Sequence, residues 1–321
     1  MPGVVYLICI SSIACLAMGG SPGLALIGAI AWGVSLVLGG HFLNRRNLAL
    51  VFVLNVVLLY GLSGSSPLFF GLVFFGIPSF LMGFRLSYGR GYYDLRKWGL
   101  GSAIISVMLF LGLSYYTADD IQIRTMQIEI EQYVQQKIDL PGNSEIWKLY
   151  EDQGISQEEI KERLANLPWV IYTHLPAFYC FEAILAVFII LSLSAFISRK
   201  KRLPILARRS FREEIMPWQF SWVIILALAL WLWGRDEMNL LYYVGSNILL
   251  LAAPVNVYYG FSVLTYRWSK MQSRNKRWAL ILFVIMFLFL TIPAIIFIGL
   301  LGLFDSLLDY RKLRRKKEET N

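Results

Sequence analysis

The sequence predicts an all-α protein, a polytopic transmembrane bundle of eight to nine spans with a small helical insert outside the membrane. Three observations carry that expectation. Nine predominantly apolar runs fill most of the 321 positions, most of them close to the roughly 20 residues a helix needs to cross hydrocarbon. Hydrophobic residues make up 57% of the chain against 16% charged, too few charges to cover a soluble particle. Lys and Arg collect in the short connections, the asymmetry that orients membrane helices.

The runs lie at 3–20, 21–40, 48–63, 67–84, 98–116, 169–197, 218–234, 239–266 and 278–304. No Lys or Arg precedes Arg45, so the first run lacks the basic segment of a signal peptide and reads as a retained span. In the second run Ala25, Ala29 and Gly33 form a small-residue series on one face, where another helix, internal or from a separate subunit, can approach closely. Arg45 and Arg46 mark an inner turn after it. The loop 85–97 adds Arg85, Arg90, Arg96 and Lys97 against Asp94, and the stretch 198–216 carries seven basic residues against Glu213 and Glu214. Counting from these loops places the amino terminus inside, in the cytoplasm, and segment 117–167 outside. Three regions result: membrane helices over 1–116, an acidic insert over 117–167, and membrane helices with basic loops and tail over 168–321.

The insert has eleven acidic and five basic residues. Met126, Ile130 and Val134 recur at helical spacing, Pro141-Gly142-Asn143 punctuates, and Ser156 with Glu159 forms a capping-box pattern. A small helical element is expected, as a connector or as a cover over an outward cavity. Charge and counting disagree at the end of the chain, because 267–277 and the tail from Arg311 to Lys317 are both basic. Either Pro293 breaks the last run into a hairpin-like element, or one basic segment faces outward.

Enzyme signatures are absent from the sequence. No phosphate-binding loop of the Walker kind occurs, and Gly89-Arg90-Gly91 lacks the third glycine of a dinucleotide turn. His41 and His174 stand without companion ligands, and Cys9, Cys15 and Cys180 fall within apolar runs. We therefore expect no cofactor, no metal, no catalytic residue and no nucleic-acid partner, since orientation already accounts for a net charge of +9. The expected partners are the bilayer, a small molecule and other membrane proteins.

Polar residues within apolar runs mark candidate sites, because hydrocarbon penalises them unless they face an interior. Glu182 lies deep in the run 169–197. Tyr243, Asn247, Pro254 and Tyr258 fall close to one helical stripe, a substrate-binding candidate or helix-packing contacts. Asn55 stands alone in its run and reads as a packing contact. Asp305 and Asp309 sit beside a basic tail and are expected to pair with Arg311 or Arg314.

Met216-Pro217-Trp218, Asn247, Tyr258-Tyr259-Gly260-Phe261, Gly299 and Gly302 before Asp305, and Asp309-Tyr310-Arg311-Lys312, together with Gly76-Ile77-Pro78 and Gly83, resemble the YybS-type family of bacterial membrane proteins of unknown function. That resemblance covers nearly the whole chain. It implies a distant similarity to the substrate-capture components of energy-coupling-factor vitamin transporters, whose six helices would match the runs from 3 to 197. Ala25, Ala29 and Gly33 then resemble the series by which such components dock on a transmembrane coupling subunit. The expected function is a non-catalytic small-molecule binding or transport component, with candidate contacts Glu182, Tyr243, Asn247 and Tyr258. The alternative is a membrane scaffold or assembly factor for an envelope complex.

Overall fold

The computed structural model describes residues 2–117, 128, 132, 167–202, 206–236 and 238–313. The insert predicted over 117–167, with its capping box, falls almost entirely outside them. All regular structure among the described residues is helical: α1 (Pro2–Gly20), α2 (Ala25–Phe42), α3 (Arg45–Ser63), α4 (Ser65–Gly71), α5 (Ile77–Leu86), α6 (Tyr92–Thr117), α7 (Leu167–Lys200), α8 (Trp218–Trp233), α9 (Leu240–Lys270), α10 (Ser273–Phe289) and α11 (Thr291–Leu308), with a few short turns. A π-helical turn, Leu72–Gly76, joins α4 to α5 into one continuous span, Ser65–Leu86. Seven described helices are long and apolar enough to cross a membrane, and Val5–Gly20 and Trp218–Trp233 are shorter apolar helices. The polytopic all-α class therefore holds.

Local chemistry sets the breaks. Asn44 opens α3 by accepting a hydrogen bond from the Asn47 N–H at 2.9 Å. Gly64 and Gly89 turn the chain with φ of 77° and 70°, a region open to glycine at little cost. Leu290, at φ −133° and ψ 46°, divides the expected run 278–304 into α10 and α11, with Pro293 in the first turn of α11. Of the two alternatives for the end of the chain, the break near Pro293 is the one present: the run is two helices.

The chain forms two compact units. The first holds residues 1–90 and 94–194, and the second holds 91–93 and 195–321. In the first, helices meet where side chains vanish. A methyl group on Gly40 would overlap the Gly83 carbonyl, and one on Gly28 would meet the Met18 backbone nitrogen at 2.5 Å. Without a hydrophobic drive between helices in lipid, such close approach is what dispersion attraction needs. Phe74, Phe110 and Tyr179 bring the π turn, α6 and α7 together at centroid distances of 5.8–6.2 Å.

In the second unit α8 and α9 are antiparallel, with Gly245 against Ala227 and Trp231. Helix α11 crosses α9 at Gly260 and Gly302 and runs parallel to it: Gly299 lies beside Asn256 and Val257, whereas Arg311 reaches Ser262. With α10 returning the chain between them, the basic stretch after α9 and the start of the basic tail lie at one end of the unit. This resolves the conflict between charge and counting.

Gly40→Ala should destabilise the protein by about 1–3 kcal/mol, because α2 and α5 must separate to admit a methyl group. Gly112, with open space around it, should tolerate alanine; thermal unfolding in detergent compares the two.

Candidate functional site

Four side chains of the first unit form a buried polar layer midway along their helices. Ser11 on α1, Trp32 on α2, Asn55 on α3 and Ser79 on α5 are each at most 1% exposed. The Ser11 hydroxyl lies 3.3 Å from Asn55 Oδ1 and 3.2 Å from the Ile8 carbonyl, both acceptors for its proton. The remaining groups find nothing: Asn55 Nδ2, Trp32 Nε1 and Ser79 Oγ have no hydrogen-bond partner. A buried donor left unmade costs about 1–3 kcal/mol, so three in one layer need a physical reason.

Packing ties them to one region. The Trp32 ring stacks on Phe52 at 6.1 Å, and Phe52 lies one helical turn before Asn55. Phe80, next to Ser79, stacks on Phe52 at 4.6 Å. Ser79 itself lies against Gly33, the neighbour of Trp32, and the far edge of the Trp32 indole sits over Gly76, where the π turn ends. π turns inside α-helices recur at functional sites. An indole N–H and an amide NH₂ are donors only. The layer is therefore short of acceptors, lies beside stacked aromatic rings, and has no charged side chain among its four members.

A second polar node ties the inner segments of the other unit. The Arg311 guanidinium bonds Asp305 Oδ2 at 2.7 and 3.0 Å, and both side chains are at most 2% exposed. It also donates to the Arg212 and Glu214 carbonyls, each at 2.7 Å, and to Ser262 Oγ at 2.9 Å. Ser221 and Ser306, the residue after Asp305, share a buried hydrogen bond between α8 and α11. The buried Glu214 carboxylate accepts from Tyr93 at 3.1 Å and Arg208 at 3.4 Å, and Arg208 donates to the Tyr258 hydroxyl at 2.6 Å. Burial works against the Arg208 charge, but Tyr92, Tyr258 and Glu214 more than offset it and raise its pKa. One guanidinium thus joins α11, α9 and the stretch 211–216. The expected pairing of Asp305 with Arg311 is present, inside the unit and not at its surface.

The other predicted residues lie apart. Glu182 is exposed on α7 in the first unit, whereas Tyr243, Asn247 and Tyr258 belong to the second. Asn247 Nδ2 donates to the Tyr243 carbonyl one turn back, at 2.8 Å. Tyr258 packs its ring on Phe211 at 5.1 Å and is about 16 Å along the helix from Asn247, taking 1.5 Å per residue. The stripe on α9 thus has two separate ends. Of the small-residue series, Ala29 is buried, Gly33 faces Ile190 and Ser79, and Ala25 is partly exposed. Trp32, Ser79 and Ser11 went unremarked in the sequence, although Asn55 was a visible signal.

Residues 9–306 match the family described as "Predicted membrane protein (DUF2232)", and the chain belongs to that family. No curated protein and no solved structure matches the chain.

Removing either partner of the Asp305–Arg311 pair should cost about 3–5 kcal/mol, the usual penalty for an orphaned buried charge. Asp305→Ala and Arg311→Met should each lower the unfolding midpoint in detergent, and the double variant should recover part of the loss.

Proposed function

We propose that this chain is a non-catalytic membrane component that holds a small, uncharged, acceptor-bearing molecule inside its six-helix first unit, in the manner of a transporter substrate-capture subunit. The observation that carries this reading is the layer of unpartnered donors, Asn55 Nδ2 and Trp32 Nε1, with Ser79 beside them. A ligand carbonyl or ring nitrogen would satisfy both donors while its flat face lies along Trp32 and Phe52. Polar sites at mid-membrane beside an irregular helix are a recurrent solution in transporters.

The boundary of the first unit supports the same reading. Its compact set of helices closes at Ser194, near the end of the sixth crossing, which is the extent the resemblance to capture components implies. Orientation follows the basic loops: Arg45 and Arg46, the stretch 85–97, and the stretch 198–216 face the cytoplasm of a bacterial inner membrane, and so does the amino terminus. The second unit would then serve as a docking module for a coupling subunit or another membrane protein. The candidate contacts Tyr243, Asn247 and Tyr258 already have partners in their own unit, Asn247 on the Tyr243 carbonyl and Tyr258 on Arg208, so the first unit is the better place for the ligand. Glu182 adds an acid to the same unit.

A second reading, scaffold for an envelope complex, draws on the acidic insert with eleven acids against five bases. Deleting 120–165 separates the two: a scaffold loses its protein partner, whereas a capture component keeps its small molecule.

Native mass spectrometry after mild detergent extraction should find one stoichiometric small molecule on the wild type. Trp32→Phe and Asn55→Leu should each weaken its retention about tenfold, the value of one hydrogen bond near 1.4 kcal/mol. If both variants are more stable than the wild type and no bound molecule changes, the layer is only a packing defect and the proposal fails.

A further inference from the structure

At one end of the first unit, where α2 gives way to α3, an open cavity of about 480 Å³ is lined by Asn44, Arg45, Arg46 and Ser87. Two of its four lining residues are cations and none is an acid. Asp94, an acid of this same basic end, is taken by Arg85 at 2.9 Å, and neither Arg45 nor Arg46 has a carboxylate partner among the described residues. We propose that this cavity binds the phosphate of an anionic ligand, with an acidic phospholipid headgroup and a soluble phosphate as its two possible sources.

The geometry prepares the site for a compact anion. Arg45 Cζ sits over the Tyr88 ring, 3.5 Å from its centroid, a contact that restrains the guanidinium, and Arg45 has no carboxylate partner among the described residues; a guanidinium held this way suits bidentate phosphate contact. Asn44 spends its Oδ1 on the Asn47 N–H, so its amide nitrogen remains a donor. Ser87 gives its proton to the Phe84 carbonyl at 2.7 Å and shapes the wall. The cavity and its two guanidiniums would attract an anion without any help from the helix. The start of α3 sharpens the case, because Arg45 and Arg46 occupy a first turn with no acidic residue, where the helix dipole disfavours cations. A bound phosphate turns that repulsion into attraction. Orientation by basic loops accounts for arginines here; it accounts neither for a cavity nor for a guanidinium clamped on a ring.

The test uses the full chain in nanodiscs of equal phosphatidylglycerol and phosphatidylcholine, read by native mass spectrometry of the lipids retained after transfer to detergent. Wild type should keep phosphatidylglycerol, and Arg45→Gln with Arg46→Gln should reduce that retention at least tenfold. Arg274→Gln with Arg277→Gln removes an exposed pair from the first turns of α10 and should leave retention unchanged. A parallel arm measures the unfolding midpoint in pure phosphatidylcholine with millimolar inorganic phosphate. A rise in the wild type that the Arg45/Arg46 variant lacks, without selective lipid retention, assigns the site to a soluble phosphate. Equal loss in both double variants, or no loss in either arm, overturns the proposal.

Discussion

Along the apolar runs of this chain no water is at hand, and a polar group placed there has to find its partner within the protein. Helices meet that demand for the backbone, which is why the described residues are helical almost throughout. Side chains are a separate matter, and each unit has buried polar atoms without a partner, Asn256 Oδ1 and Asp305 Oδ1 among them in the second. In the second, the Arg311 guanidinium spends its donors on Asp305, Ser262 and the carbonyls of Arg212 and Glu214. In the first, three polar atoms on three helices remain without partners in a layer that is otherwise tightly packed. The Arg311 donors are all taken up, whereas the layer in the first unit holds two donor-only groups, Trp32 Nε1 and Asn55 Nδ2, that are not.

Close helix contact makes both arrangements possible. Gly40 on Gly83, Gly28 on α1, and Gly260 with Gly302 on α9 and α11 let backbones approach where side chains would hold them apart. These contacts fix which faces turn inward. Gly76 and Gly33 do so directly at the polar layer, since one admits the Trp32 ring and the other lies against Ser79. The parallel course of α9 and α11 has a further consequence: the basic ends of both helices gather with the stretch 206–216, so charge is segregated to one end of the second unit.

Much of this was legible in the sequence because length and hydropathy are one-dimensional properties. The apolar runs, the basic connections, and a break near Pro293 all follow from local composition. So did the pairing of Asp305 with Arg311, whose spacing allows it across the end of α11. The buried polar layer was harder to read for a physical reason. Trp32 counts as hydrophobic in composition, and its indole N–H stands out as an unmet donor only once the fold encloses it. Ser79 looks like any small residue in a span, and Asn55 alone does not reveal which helices surround it. Glu182 shows the converse, since its charge is conspicuous in the sequence while its position on an exposed face depends on how α7 is rotated. Rotation is set by close contacts such as Ile190 on Gly33, which no periodicity states.

The most direct measurement is an experimental density map of the chain extracted gently from its native membrane, resolved well enough to define side chains in the first unit. A compact feature that is not protein, within hydrogen-bonding distance of Trp32 Nε1 and Asn55 Nδ2 and flat against the Trp32–Phe52 pair, is the expected result. A map in which these donors turn to pair with protein carbonyls, with nothing between them, would contradict the account.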